Sequence, residues 1–207
     1  MRKIESREEF KLVFGVSEFN TFLSSNIKDF TKLFTGRKIK SLYFDTLNFD
    51  IYKNQLLYDV DKFKIRIRSY NNFPSFTKEI KENTSQGKIK ISEKLDIESF
   101  DDIEEIFYLG KIYYPTIFVS YNRDYFKYKD ARITIDTDIQ YQASINRKLD
   151  ISIEESKHVV VEYKKYDKHS KNIINYLDRP YDQFSKYQEA IEKIFPNILW
   201  FLIRILR

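Results

Sequence analysis

Residues Lys62 to Arg68 alternate cationic with apolar side chains. The order is Lys-Phe-Lys-Ile-Arg-Ile-Arg, and the two-residue period of a β-strand places all four cations on one face. Such a row can bind a polyanion, because Arg offers a planar fork for phosphate oxygens and Lys a compact charge. For a single strand, the more common explanation is the solvated face of an antiparallel sheet whose other face covers a core. One strand does not decide between these alternatives.

Positive charge is concentrated around this row. Residues 62–94 hold nine Lys or Arg and three Glu, a local excess of six, whereas the formal net charge of the 207-residue chain is +5. Other predicted strands also place charged and aromatic side chains on one face: Glu79 with Lys81; Lys88, Lys90 and Lys94; Tyr121, Arg123 and Tyr125; Arg132, Thr134 and Asp136; Glu162 with Lys164. So many polar faces are easier to explain if they converge on one ligand than if each meets bulk water.

The elements that must position these residues are mostly strands. Alternating or β-rich segments predict strands at 7–14, 39–44, 55–60, 62–70, 75–82, 88–95, 116–125, 131–136 and 159–163, which would give a sheet of eight or so strands. Helices are predicted from Ser17 with an apolar stripe through Phe34, from Ser99 through Leu109, and at 182–195. A closed barrel would let the polar faces converge in its lumen. We therefore expect an α+β fold, a closed antiparallel β-barrel of about eight strands with helices packed outside.

Composition favours one domain, which we place at 1–195. The chain is 42% hydrophobic and has only four Gly and four Pro, with no tract that resembles a flexible linker. Residues 196–207 form an apolar C-terminal segment, shorter than the roughly 20 residues needed to span a bilayer. We expect this segment to dock on the core, on a partner or on a membrane surface.

The absence of Cys excludes disulfides and thiolate chemistry and suits a reducing compartment. No signal peptide is predicted, so we expect a cytoplasmic protein. The net charge of +5 is modest for a nucleic-acid-binding protein of this size and argues against nucleic acid as the partner.

A cationic lumen predicts a ligand with several negative charges. A buried charge costs several kcal/mol unless it is paired, and phosphate chains supply the compensation for Arg and Lys. Glu in the same lumen would repel phosphate unless a divalent cation bridges the two. Hard oxygen ligands of this kind suit magnesium or manganese.

Eight short motifs follow one another along the chain: Arg7-Glu-Glu-Phe-Lys11, Ser41-Leu-Tyr-Phe-Asp-Thr46, Lys64-Ile-Arg-Ile-Arg-Ser-Tyr70, Glu79-Ile-Lys81, Ser120-Tyr-Asn-Arg123, Arg132-Ile-Thr-Ile-Asp136, Val161-Glu-Tyr-Lys164 and Phe184-Ser-Lys-Tyr187. Each motif alone is weak. In this order, from Arg7 to about Ile191, the chain resembles the VTC polyphosphate polymerase family, a branch of the CYTH-like triphosphate tunnel superfamily.

The resemblance implies a tunnel that transfers the terminal phosphoryl group of ATP to a growing inorganic polyphosphate chain and releases ADP. It implies catalytic roles for Arg66, Arg68, Lys81, Arg123 and Lys186. It implies substrate-binding roles for Lys11, Lys64, Tyr121, Arg132, Ser185 and one further lysine, Lys90 or Lys94. Glu162 matches the metal-binding glutamate, with Mn2+ or Mg2+ as the metal.

ATP and inorganic polyphosphate are therefore the expected partners. Larger members of the family carry fused membrane parts, which this chain lacks, so a separate membrane protein could hold it at the inner face of a membrane. Glu9 could join a metal site or pair with a lysine of the lumen, and we favour pairing. His158 and His169 are expected to be surface residues.

Three functions stay open at this point. A polyphosphate polymerase is favoured by the VTC-type motifs. Phosphoryl transfer needs positioning and charge neutralisation more than a protein nucleophile, so the same barrel could be a metal-dependent triphosphatase or nucleotidyl cyclase. The third alternative is a non-catalytic module that binds polyphosphate or nucleic acid.

Overall fold

A computed structural model of the chain describes residues 2–5, 9–57, 62–71, 75–84, 87–128, 131–144, 152–165 and 182–198. The strands are β1 (Arg2–Glu5), β2 (Glu9–Gly15), β3 (Thr31–Asp45), β4 (Lys62–Tyr70), β5 (Phe76–Thr84), β6 (Gly87–Leu95), β7 (Ile106–Tyr108), β8 (Lys111–Tyr128), β9 (Ala131–Ala143), β10 (Ile153–Glu155) and β11 (His158–Lys165). The helices are α1 (Val16–Asn26), α2 (Asp50–Leu57) and α3 (Lys186–Ile194), with 3-10 turns at Ile27–Asp29 and Phe100–Asp102. No helix in these ranges combines the length and the hydropathy that spanning a bilayer requires.

The sheet is antiparallel and open. Nine strands follow the order β1-β6-β5-β4-β3-β8-β9-β11-β2, and the short strands β7 and β10 pair with β8 and β9. The predicted closed barrel of about eight strands is therefore wrong. The chain crosses from one edge of the sheet to the other between Glu5 and Glu9; β1 pairs with β6 and β2 with β11, and within the described ranges no ladder joins β1 to β2.

The open sheet is nevertheless strongly curved. On β2, Lys11 Nζ donates to the Phe184 carbonyl at 2.6 Å, and on β4, Lys64 Nζ donates to the Ser185 hydroxyl at 2.9 Å. Four strands separate β2 from β4 in the sheet order. Because Phe184 and Ser185 are neighbours in sequence, the sheet must bend for both lysines to reach them. Its polar side chains therefore converge on one concave face although the sheet does not close into a barrel.

The helices divide between the two faces. Helix α1 packs on the convex side, where Phe19 joins Leu12, Phe14 and Val161 in an apolar cluster. Leu12 and Val161 alternate along their strands with polar residues of the concave face, so α1 lies outside, as expected. Helix α3 instead packs on the concave side, with the Tyr187 ring stacked on Tyr43 at a centroid distance of 5.2 Å. The prediction that all helices pack outside is wrong for α3.

Three local predictions also fail. The helix expected from Ser17 through Phe34 ends at Asn26, because residues 31–45 pair with the long strand β8. The strand expected at 55–60 is wrong for 55–57, which belong to α2, and 58–60 lie outside the described residues. Helix α2 starts here because the buried Asp45 carboxylate accepts hydrogen bonds from its first amides, those of Ile51 and Tyr52. The helix expected from Ser99 is only a 3-10 turn followed by β7.

The apolar C-terminal segment lies mostly outside the described residues. The prediction that it docks on the core or a partner concerns 196–207, of which only 196–198 are described. Ile198 packs against an apolar cluster that includes Ile191 and Ile194 of α3.

Candidate functional site

Among the described residues, nine of the cationic side chains on the concave face, from seven elements, line a groove. They are Lys11 on β2, Lys64, Arg66 and Arg68 on β4, Lys81 on β5, Lys90 on β6, Arg123 on β8, Lys164 on β11 and Lys186 on α3. We call this face the cationic groove. Four carboxylates lie among these cations: Glu9, Glu79, Asp136 and Glu162.

Glu79 is the hub of the β4–β6 side of the groove. Its Oε2 accepts from Arg66 Nε and Nη2 at 2.8 and 2.6 Å, and its Oε1 lies 2.8 Å from Lys90 Nζ. Arg68 Nη1 lies 3.6 Å from the same carboxylate. Burial alone would raise the pKa of Glu79, but the charges of Arg66, Arg68 and Lys90 hold it far below its usual range. The carboxylate therefore stays ionised and fixes the two guanidinium groups.

Hydroxyl groups orient these arginines further. Arg66 Nη1 donates to Tyr43 at 2.9 Å, and Arg68 Nη2 donates to Tyr121 at 3.3 Å. Arg68 also donates to Ser41 at 3.4 Å. The register of β3 and β4 explains these contacts, because Tyr43 is paired with Arg66 and Ser41 with Arg68. The arginines are therefore positioned before any ligand arrives.

Asp136 is the hub of the opposite side. It accepts from Arg123 Nε and Nη2 at 2.5 and 2.6 Å, a bidentate pair, and from Lys186 Nζ at 2.6 Å. Lys186 Nζ also lies 4.8 Å from the centre of the Tyr121 ring. These contacts hold the N-terminus of α3 against β8 and β9.

Three lysines of the groove are poorly compensated. Burial and the charge of Arg66 lower the pKa of Lys81 to about 8. Burial and the charges of Lys11 and Arg66 lower the pKa of Lys64 well below its usual range, and burial lowers that of Lys11. A cation held in a dry, positively charged site gains most from an added anion. The groove can therefore bind a multiply charged anion such as a phosphate chain.

Comparison with known families identifies the chain. The sequence model of the family described as VTC domain matches residues 24–195. The chain belongs to the VTC domain family. No curated protein sequence matches it.

Solved structures share the fold of this VTC domain. A candidate adenylate cyclase from Bacillus halodurans is 14% identical, with a TM-score of 0.59, and the match covers 94% of this chain and 98% of that one. A candidate adenylyl cyclase from Hippeastrum, described as having a dominant triphosphatase activity, is 15% identical, with a TM-score of 0.53 and coverage of 90% and 96%. The PH1819 protein from Pyrococcus horikoshii OT3 is 14% identical, with a TM-score of 0.51 and coverage of 90% and 99%. At these identities the likeness concerns the fold alone.

Two carboxylates of the VTC domain fit a divalent metal. Glu9 and Glu162 lie on paired strands, 3.1 and 3.7 Å from Lys164 Nζ, and the buried hydroxyl of Thr134, paired with Glu162, has no hydrogen-bond partner within the described ranges. Burial would raise the pKa of Glu162, but Arg123 and Lys164 hold it well below its usual range. Among the described residues no cluster of three or more metal-ligating side chains exists. This donor set suits Mg2+ or Mn2+, which are commonly held by one or two carboxylates together with substrate phosphates.

Most of the predicted site residues lie together in the VTC domain. All five residues predicted as catalytic line the groove, as do Lys11, Lys64, Lys90 and Tyr121, while Ser185 caps α3 and accepts from Lys64. Arg132 is paired with Lys164 on the same face. Lys94 lies on that face too but is exposed and forms no salt bridge within the described ranges. Lys90 is therefore the better candidate for the further lysine, and the binding roles of all these residues stay predictions.

Sequence reasoning missed the carboxylate hubs. Glu79 and Asp136 were placed on polar faces but given no role, as was Lys164. Their partners come from other strands, and the strand register that brings them together could not be read from the sequence. Glu9 forms the predicted pair with a lysine, Lys164. His169 lies outside the described residues.

His158 is half-exposed and contacts α3. Its Nδ1 lies 3.2 Å from the Glu189 carboxylate, which also accepts from Tyr141 at 2.7 Å. Ser156 donates to the same carboxylate at 3.0 Å. These contacts tie α3 to β9 and β11, so His158 has a structural contact that the surface prediction did not include.

Proposed function

We propose that this VTC domain is a polyphosphate polymerase that transfers the γ-phosphoryl group of ATP to inorganic polyphosphate and releases ADP. The observation that carries the proposal is the cationic groove, built on a chain that matches the VTC family over residues 24–195. The groove supplies nine cations against four carboxylates, an excess that suits the charge of a phosphate chain.

The groove residues suit phosphoryl transfer. Arg66 and Arg68 are fixed by Glu79 and by hydroxyl groups, so they can receive phosphate oxygens without reorganisation. Arg123 and Lys186 would neutralise charge from the opposite wall. The reaction needs no protein nucleophile, because the attacking oxygen belongs to the acceptor phosphate.

Lysines with lowered pKa values would bind the substrate by taking up protons. Lys64 and Lys81 lose charge readily in the free protein, and the negative charge of phosphates would restore it. A divalent metal held by Glu162 and Glu9 would, when bound, neutralise further charge on the phosphates.

A triphosphatase is the second candidate. One structural neighbour is described as having a dominant triphosphatase activity, and a groove that only positions phosphates can serve water as well as phosphate as the attacking group. The two activities differ in the acceptor, so only the products separate them.

Product analysis with ATP and Mn2+ tests the proposal. We expect ADP and phosphate chains longer than a triphosphate, resolved by gel electrophoresis and by phosphorus NMR. Release of orthophosphate alone would support the triphosphatase, and a cyclic nucleotide would support a cyclase. The proposal fails if ATP is consumed without any chain longer than its own triphosphate, or if no turnover occurs. Arg66→Ala serves as the inactive control.

A further inference from the structure

An aromatic cluster lies at the end of the groove, with Phe34 exposed and Tyr125 buried beside it. The Phe34 ring is tilted by 37° against Tyr125, with ring centroids 4.4 Å apart. The Arg37 guanidinium lies 5.3 Å from the Phe34 ring, 5.7 Å from Tyr125 and 5.8 Å from Tyr70. We call these four residues the aromatic mouth.

The aromatic mouth shares the concave face with the cationic groove. In the register of β3 and β8, Arg37 is paired with Arg123 and Phe34 with Tyr125. Tyr125 is paired in turn with Thr134, whose partner on β11 is Glu162. Directly paired residues point to the same side of a sheet. The mouth is therefore continuous with the groove.

The mouth lies at the end that α3 leaves open. Helix α3 packs on Tyr43, six residues further along β3 than Arg37. Arg68 connects groove and mouth, because its Nη1 lies 3.4 Å from the hydroxyl of Tyr70. Arg68 and Tyr70 lie two positions apart on the same face of β4, and the Arg68 guanidinium lies 5.9 Å from the centre of the Tyr70 ring. A phosphate held by Arg68 would therefore lie beside the rings of the mouth.

Phosphate binding does not explain the composition of the mouth. Phe34 is 43% exposed although it borders a highly charged surface. Arg37 is exposed and forms no salt bridge within the described ranges. Strand β3 is irregular on both sides of Phe34, and such bulges re-aim side chains and are common next to active sites. An exposed aromatic ring with an Arg beside it, as at Phe34, is typical of platforms on which bases stack.

We propose that Phe34 and Arg37, with the buried Tyr125 packed beside them, bind the nucleobase of a nucleoside triphosphate whose phosphates occupy the cationic groove. This inference rests on the proposed function, and of that function it uses only the binding of phosphates in the groove. It adds that the site distinguishes a nucleotide from an inorganic phosphate chain. Purines should bind more tightly than pyrimidines, because their larger face gains more from stacking.

Equilibrium binding of ATP and of inorganic tripolyphosphate tests the inference. Calorimetry in EDTA prevents metal-dependent turnover. We expect Phe34→Ala to weaken ATP binding roughly tenfold, the effect of losing one base stack, while tripolyphosphate binding changes less than twofold. Arg37→Ala should act in the same direction, and Phe34→Trp should retain ATP affinity. Leu33→Ala, which removes the neighbouring and similarly exposed side chain, is the matched control.

The outcomes separate the two proposals. Equal losses for ATP and tripolyphosphate, or no loss for either, would overturn the base-binding role and leave the proposed function intact. The base-binding role would also be overturned if wild-type protein bound tripolyphosphate as tightly as ATP. Wild-type protein that binds neither compound would contradict the proposed function itself.

Discussion

Arg66 donates two hydrogen bonds to one oxygen of Glu79, across the neighbouring strands β4 and β5. The other carboxylate oxygen pairs with Lys90. A buried anion thus lies among the cations of the groove. In the free protein, the Glu79 carboxylate holds these cations in place, because packed cations would otherwise repel one another.

Glu79→Gln should destabilise the free protein more than the liganded one. Removing one partner of a buried ion pair costs about 3 kcal/mol, because Arg66 and Lys90 would remain charged without compensation. Tripolyphosphate should restore most of the loss by supplying negative charge. Thermal unfolding with and without tripolyphosphate measures both effects.

Glu93→Gln is the control for that change. Glu93 pairs with Lys78 at the surface, so its loss should alter the free energy of unfolding by less than about 1 kcal/mol. Equal destabilisation by the two variants, or no recovery of Glu79→Gln with tripolyphosphate, would contradict a compensating role for Glu79.

Phosphate affinity should decrease as pH rises through the pKa of Lys81. Burial and Arg66 lower this pKa to about 8 in the free protein, and bound phosphate would raise it again. Above pH 8 binding must therefore take up a proton, which weakens affinity roughly tenfold to thirtyfold between pH 7.5 and 9.5. Calorimetry in buffers of different ionisation enthalpy measures the proton uptake.

The same titration in Lys81→Met should be flatter. Lys94→Met, which changes an exposed lysine of the same face, should behave like the wild type and thereby account for the titration of the ligand itself. Identical pH profiles for wild type and Lys81→Met would exclude Lys81 as the titrating group.

Glu162→Gln should separate metal-dependent turnover from phosphate binding. We expect the rate of ATP consumption with Mn2+ to fall by roughly a hundredfold or more, while tripolyphosphate binding in EDTA is retained because a negative charge has been removed. Glu154→Gln, on the exposed strand β10, is the control. Full activity of Glu162→Gln would disprove the metal role predicted for this residue.

Tyr187→Phe should loosen α3 from the sheet. The Tyr187 hydroxyl donates to the buried Asp45 carboxylate, which also anchors the start of α2. Leaving that carboxylate one donor short should lower the free energy of unfolding by about 1 to 3 kcal/mol. Tripolyphosphate affinity should fall too, because Lys186 precedes Tyr187 on the same helix.

Tyr52→Phe provides the comparison for Tyr187. The Tyr52 hydroxyl lies 3.5 Å from Glu192, a longer contact, so its loss should cost less. If urea unfolding gives the same midpoint for both variants, the Asp45 contact does not hold α3.

The residues on the polar faces of the strands were more predictable than the pairing between the strands. Strand β4 was predicted at its observed bounds, 62–70, because strict alternation of cations with Phe and Ile has no helical alternative. The same parity placed Lys81, Arg123 and Glu162 on one face. The family resemblance then indicated which of these positions belong to a phosphate site.

The predictions that failed and the residues that were overlooked share one physical cause. Residues 31–34 continue the apolar spacing of α1, but eighteen residues of β8 offer a pairing surface that outweighs local helix preference. The carboxylates Glu79 and Asp136 gain their partners only through strand register. Pairing between distant strands is the information that local patterns lack.

The strand order also determines when the groove can exist. Strand β2 pairs with β11, and Val13 meets Val160 across roughly 150 residues, a separation that makes pairing slow and late in folding. The wall that bears Lys11 and Glu162 therefore cannot assemble on a ribosome before β11 has emerged. Until β11 has been synthesised, a nascent chain carries the cations of β2 and β4 on strands that are not yet joined through one sheet.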